Sequence, residues 1–155
     1  MSAICVFTNN MNKKITGKVV FKETKRGLQI KINMSGISPG LHGFHIHQYG
    51  DLSEGCGSLC SHFNPTNSVH GGRDSPERHL GDLGNIIADK FGNVDMVIYD
   101  KFLTITGKYG ILGRSVVIHA DEDDLGLGGL DEFGNVIDEK VREESLKTGN
   151  AGKRI

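Results

Sequence analysis

Gly43-Phe44-His45-Ile46-His47-Gln48 decides how the chain is built. Apolar and imidazole side chains alternate along it, and in a strand residues i and i+2 share a face. Phe44 and Ile46 therefore face a core, while His45 and His47 point together to the other side. Two imidazoles fixed on one face of a strand form half of a metal site before any partner arrives. His42 falls on the Phe44 side and reads as a structural histidine.

Downstream lies a Gly- and Ser-rich loop poor in apolar residues. It carries Ser61-His62-Phe63-Asn64-Pro65, then His70-Gly71-Gly72, then His79-Leu80-Gly81-Asp82-Leu83-Gly84-Asn85. Five of the seven histidines fall between Gly43 and Asn85, and another, His119, stands far downstream. Imidazole is the usual ligand of zinc and copper, and a carboxylate beside it suits zinc. So dense a set of ligands on such a loop cannot be core packing, and it predicts a metal centre.

Outward from this centre the strand signal recurs. Leu28-Gln29-Ile30-Lys31-Ile32-Asn33-Met34 alternates strictly, as a half-buried strand does. Ala3–Thr8 and Ile15–Lys22 read as two strands joined by the polar turn Asn9–Lys14. Leu41–Gln48 and Arg114–His119 are further strands, and Gly84–Asp89 and Val94–Asp100 form a hairpin around Asp89–Asn93. Thr104–Gly113 reads as a crossing segment. Helical periodicity is weak except over Asp138–Lys147, where Val141 and Leu146 can line one side. Short strands every ten residues or so, with turn signals between them, predict an all-β antiparallel sandwich or barrel. No internal repeat or linker is evident, so 1–155 reads as one domain.

The totals narrow the function. A net charge of −1 with 24% charged residues leaves no basic face for nucleic acid. No apolar run reaches the ~18 residues of a membrane helix. Met1–Thr8 turns polar too soon for a secretory signal, and the expected setting is soluble and cytoplasmic. Three cysteines do not make a disulfide framework. Cys5 reads as a small buried hydrophobe, and Cys56 and Cys60 share a loop in which they could pair, stay free or bind metal.

Gly43-Phe44-His45-Ile46-His47, His62-Phe63-Asn64-Pro65, His70-Gly71-Gly72, Arg78–Asn85 and Gly113–His119 follow one another in this order. Asp123-Asp124-Leu125-Gly126 and Lys147-Thr148-Gly149-Asn150-Ala151-Gly152 come after them. The ordered set resembles the copper/zinc superoxide dismutase family over essentially the whole chain. The resemblance implies a Greek-key antiparallel β-sandwich or barrel with long metal-binding and electrostatic loops. It implies copper on His45, His47, His62 and His119, and zinc on His62, His70, His79 and Asp82, with His62 bridging the two. Asp123 matches the carboxylate linking a copper histidine to a zinc histidine. Arg154 matches the anion-guiding arginine, and Lys147 and Thr148 match the loop that funnels the anion inward. The implied reaction converts superoxide to dioxygen and hydrogen peroxide by alternate reduction and reoxidation of the copper, with a proton passing through His62. A homodimer and a copper chaperone are the implied protein partners. A copper carrier, or a catalytically weak zinc protein on the same fold, is the alternative; a carrier of this kind usually has a Cys-x-x-Cys domain, which this sequence lacks.

Two departures from the family pattern set further expectations. The sequence stops at Ile155, directly after Arg154, without the family's second disulfide cysteine and last strand. This predicts an unpaired edge at Ala3–Thr8, a weakened dimer, an untethered Arg154, and Cys56 paired with Cys60 if with any cysteine. Leu130–Arg142 is an insertion whose Phe133, Val136, Ile137 and Val141 are expected to pack under their own loop rather than meet a partner. Finally, Asp121–Glu144 carries ten acidic side chains against Lys140 and Arg142, a negative surface facing an anionic substrate.

Overall fold

Alternation in the sequence becomes two facing sheets. The computed structural model describes residues 1–7 and 14–155. Thr8 and the turn Asn9–Lys13 lie outside the described residues. Strands β1 (Ser2–Phe7), β2 (Thr16–Thr24), β3 (Gly27–Ser35) and β6 (Val94–Asp100) form one antiparallel sheet in the order β1-β2-β3-β6. Strands β4 (Gly40–His47), β5 (Asp82–Ala88) and β7 (Ser115–Ile118) form the other, in the order β5-β4-β7. Among the described residues one α-helix, α1 (Glu139–Thr148), follows. The all-β antiparallel expectation holds. No helix among the described residues is long and apolar enough to cross a membrane.

The core fills the space between the sheets. Leu28, Ile30, Ile32 and Met34 from the inner face of β3 meet Phe44 and Ile46 of β4, Leu83 and Ile86 of β5, and Ile118 of β7. Each fully buried Leu, Ile or Phe contributes roughly 1.5–3 kcal/mol relative to exposure. β4 is buried on both faces along its second half. Its apolar side seals the core, and its histidine side is covered by loops. A bulge between Gly43 and His45 shifts the pairing with β5, and such irregularities re-aim side chains at sites.

The loop carrying His62, His70 and His79 is stitched to β4 by backbone bonds. Ile46 N donates to Gly81 O at 2.9 Å, and Phe63 N donates to Ile46 O at 2.8 Å. Gly81 is required here, because a Cβ would lie 2.1 Å from Ile46 O. Arg78 anchors the same loop: its buried guanidinium donates to the Leu80 and Asp82 carbonyls at 3.1 and 2.7 Å and pairs with Asp100 on β6.

β1 is the outer strand of its sheet, as expected, and β7 is the outer strand of the other. Between them opens an apolar cavity of ≈ 210 Å³, lined by Cys5, Phe7, Leu52, Val116 and Ile155 among others.

Three features differ from the sequence reading. Gly84–Asp89 and Val94–Asp100 do not pair as a hairpin, because the turn between them carries the chain from one sheet to the other: β5 pairs with β4 and β6 with β3. The insertion does not pack under its own loop, since Phe133, Val136, Ile137 and Val141 are 80%, 53%, 70% and 39% exposed. Its bridge Leu130↔Val136 makes a narrow hairpin with its apolar side chains outward. There is also a short repeat. Asp89-Lys90-Phe91-Gly92-Asn93-Val94 and Asp131-Glu132-Phe133-Gly134-Asn135-Val136 differ at one position and form the same turn. In each, the aspartate Oδ1 accepts from the backbone N–H of the phenylalanine and of the asparagine, at 2.8 and 2.9 Å in the first turn and at 2.9 and 2.8 Å in the second. Six residues fall below the length at which a repeat stands out, but the shared hydrogen bonding explains why the same letters recur.

Candidate metal centre

His45 and His47 leave β4 on the face away from the core, as the alternation predicts. His119 follows the end of β7, and its N–H donates to Gly43 O at 2.8 Å, which brings it beside them. His62 sits on a bridge to His47. These four buried histidines place one ring nitrogen each within 4.8 Å of one another. A second buried group, His45, His62, His70 and Asp82, meets the same criterion. His79 borders it: its Nδ1 lies 3.2 Å from Asp82 Oδ1 and 3.3 Å from His62 Nδ1. His79, which the sequence reading put in this group, thus lies against two of its members, and His45, read as part of the first group, has a ring nitrogen close to the second as well.

Each ring is gripped from outside. His45 Nε2 donates to Asp123 Oδ2 at 2.6 Å, His47 Nδ1 to Cys60 O at 2.9 Å, and His119 Nδ1 to Gly152 O at 2.9 Å. The opposite nitrogens, His45 Nδ1, His47 Nε2 and His119 Nε2, are buried without a hydrogen-bond partner. An orphaned buried nitrogen costs free energy unless something binds it. These three converge on one point, so the donor set fits a cation that favours imidazole nitrogen.

Charge follows the same logic. Burial first, and then the neighbouring His62, hold the His45 imidazole down at about 3 and His47 at about 2. His62 and His119 shift the same way, again mainly through burial. These rings are neutral at pH 7 and present lone pairs. His70 is the opposite case. Burial works against its proton, but Asp123 and Asp82 outweigh that and raise it to about 9. His70 Nε2 donates to Asp123 Oδ1 at 2.8 Å, and its Nδ1 lies 3.1 Å from Asp82 Oδ2 without hydrogen-bond geometry. Burial raises Asp82 as well, yet contacts with His62, His70 and His79 bring it below the usual carboxylate range. Three imidazoles with one carboxylate is a closed zinc set.

The matching family model is described as copper/zinc superoxide dismutase and covers residues 15–155. The chain belongs to the copper/zinc superoxide dismutase family. It is 48% identical over 156 residues to a Cu-Zn superoxide dismutase of Paramecium bursaria Chlorella virus 1, covering 100% of this chain and 75% of that one. It is 46% identical over 154 residues to an extracellular Cu-Zn superoxide dismutase of Brugia pahangi, covering 99% and 72%. Among solved structures it resembles the clock protein EA4, with a TM-score of 0.85 and 37% identity, covering 99% of this chain and 89% of that one. Copper and zinc are the metals of the family, and the two buried groups fit them.

Other expected residues fall as follows. Asp123, held near 2 because its contacts with His45 and His70 outweigh burial, joins the two groups. Asn85 pins it, donating from Nδ2 to Asp123 O and accepting from Asp123 N, both at 2.8 Å; sequence reading missed this role although Asn85 closes a quoted motif. His42 is structural, with Nδ1 2.7 Å from His119 O and Nε2 2.8 Å from Ser38 O. Cys5, Cys56 and Cys60 are all free thiols, so the Cys56–Cys60 bond is not formed. Cys56 lines the apolar cavity beside Cys5, whereas Cys60 is exposed at the end of the turn Gly55–Leu59. Burial pushes the Cys5 and Cys56 thiols up.

Arg154 is tethered, contrary to expectation. Its guanidinium donates to Cys56 O and, at 2.6 Å, to Cys60 O, while the backbone bridges to His119 and Ile155 N donates to Ile118 O at 2.9 Å. Arg154 lines an open cleft of ≈ 580 Å³ with His47, His62, His119, Thr148 and Lys153. Lys147 does not line it; its Nζ donates to Glu143 Oε1 at 2.6 Å on the exposed side of α1.

Proposed function

We propose that His45, His47, His62 and His119 hold copper, that His62, His70, His79 and Asp82 hold zinc, and that His62 is shared. The protein converts superoxide to dioxygen and hydrogen peroxide. The observation that carries the ligand assignment is the membership of His62 in both groups. His45 also belongs to both, but Asp123 occupies its Nε2, which leaves it one nitrogen to give. Among the described residues no carbonyl or carboxylate outside the two groups takes either nitrogen of His62; its Nδ1 faces Asp82 at 2.7 Å and His79.

Copper supplies the alternation of redox state, and the side chains supply everything else. Arg154 at the cleft floor attracts and orients the anion. His62, which lines the same cleft, is placed to take up and return a proton at Nε2, the nitrogen turned away from Asp82. Asp123 keeps His45 and His70 oriented, as carboxylates beside metal-bound histidines do. Thr148 narrows the cleft from α1.

The proposal extends to setting and assembly. Three free thiols support a reducing cytoplasm, although several relatives are named extracellular. The uncharged outer strand β1, with Ile4 and Val6 60% and 58% exposed, supports a homodimer across the open side of the sandwich. Burial of the copper-side histidines supports loading by a copper chaperone. One domain spans 1–155.

Metal analysis tests the ligand assignment. Protein loaded with both metals binds one copper and one zinc per chain, and His62→Ala loses affinity for both. His79→Ala, on the rim, weakens zinc chiefly. Loss of zinc alone on His45→Ala, with copper intact, overturns the assignment.

A further inference from the structure

We propose that Lys153 helps to steer superoxide into the copper cleft. The proposal rests on the functional reading above and adds a residue that the sequence motifs did not single out.

Lys147 Nζ is engaged by Glu143 Oε1 at 2.6 Å, with both side chains exposed on the helix surface, and Lys147 is absent from the cleft wall. Viewed from the cleft, Lys147 and Glu143 form a near-neutral pair whose field falls off faster than that of a single charge. Lys153 is placed differently. It adjoins Arg154 and lines the cleft with His47, His62 and His119. Its backbone is fixed, since Lys153 O accepts from Ala120 N at 2.8 Å, directly after His119. The side chain is exposed, and among the described residues it enters no ion pair.

The charges lining the cleft are then Lys153 and Arg154 against Glu144. Thr148 Oγ1 donates to Glu144 Oε1 at 2.6 Å, which ties that carboxylate to the helix. Without Lys153 the side-chain balance at the mouth, counted apart from the metals' own charge, falls from one net positive charge to zero, under a loop rich in acids. A monovalent anion entering such a cleft gains from each unpaired cation near it, and the gain disappears with salt. Superoxide dismutases are themselves an example of this steering. Lys153 is therefore a positioning residue; it touches no reacting atom.

The test uses the copper- and zinc-loaded full chain as parent, Lys153→Gln, Lys153→Arg, and the double variant Glu143→Gln with Lys147→Gln. Superoxide consumption is measured as kcat/KM across ionic strength. Azide, a small anion of the same charge, is titrated into the copper protein by visible absorption as a readout independent of turnover. At ~0.01 M ionic strength, where the Debye length is ~30 Å, Lys153→Gln lowers kcat/KM and azide affinity about three-fold. At ~1 M, where it is ~3 Å, both match the parent. Lys153→Arg restores both, and the double variant loses less than Lys153→Gln. An unchanged salt dependence and azide affinity in Lys153→Gln overturns the proposal. A salt-independent loss that Lys153→Arg does not restore also overturns it, because that marks a structural role. A parent that binds both metals but consumes no superoxide defeats the functional reading instead, and the azide arm still decides whether Lys153 attracts anions.

Discussion

Asp123 shows how one buried carboxylate can set the geometry of two metal groups. Its two oxygens take the outer nitrogens of His45 and His70 at 2.6 and 2.8 Å, and its backbone is clamped by Asn85 on both sides. Both rings are thereby fixed with their other nitrogen inward. Asp123→Asn keeps the volume but removes the charge and one acceptor. Loss of such a partner typically costs 10–100-fold in metal affinity. Chelator competition on Asp123→Asn should therefore show at least about ten-fold weaker binding of zinc, with copper weakened as well. Affinities equal to the parent's would mean that the rings are held by packing alone.

At the scale of the element, α1 links the insertion to the metal centre through its two ends. Its N-terminus is capped by Asp138, whose Oδ1 accepts from Val141 N at 2.9 Å. Its C-terminus ends on Gly149 with φ 74°, where a Cβ would lie 2.2 Å from Asp123 Oδ1 and 2.4 Å from His70 Nε2. The two caps predict different phenotypes. Asp138→Ala removes a cap worth ~1 kcal/mol and lowers the melting temperature without touching the metals. Gly149→Ala adds ~1 kcal/mol of left-handed strain and also displaces the Asp123 carboxylate, so zinc affinity falls as well. Melting curves and zinc titration of the two variants separate these effects; equal zinc affinity in both would show that the helix end does not bear on the site.

For the whole molecule, the metal centre closes what the core leaves open. Its side chains come from β4, from the loop between β4 and β5, from the end of β7 and from the segment before α1, while the sheets are held by an apolar core of their own. Ligands that bind only the folded state stabilise it in proportion to the logarithm of their concentration over Kd. Stripping both metals should therefore lower the melting temperature. It should also speed amide exchange selectively in residues 48–81 and 119–153, with β3, around Ile30 and Ile32, the last to open. A uniform rise in exchange across sheets and loops would contradict this division.

The sequence alone determined what depends on local period and residue chemistry. Alternation placed His45 and His47 on one face of β4 and Leu28, Ile30 and Ile32 in the core, and the density of imidazoles marked a metal centre. Asp123 was legible only through its family resemblance, because nothing near it in the chain reveals that it meets residues 78 and 53 positions away. Tertiary structure decided the charges at the mouth. Whether Lys147 or Lys153 faces the cleft depends on how α1 turns and where the last residues pass. Whether Arg154 is held depends on carbonyls 98 and 94 residues earlier in the chain. The outward apolar face of the insertion was equally hidden, since a short hairpin has no second layer to bury it. Side-chain period is fixed by backbone geometry within a few residues. The position of a charge relative to a metal site is fixed by contacts between segments that only folding brings together.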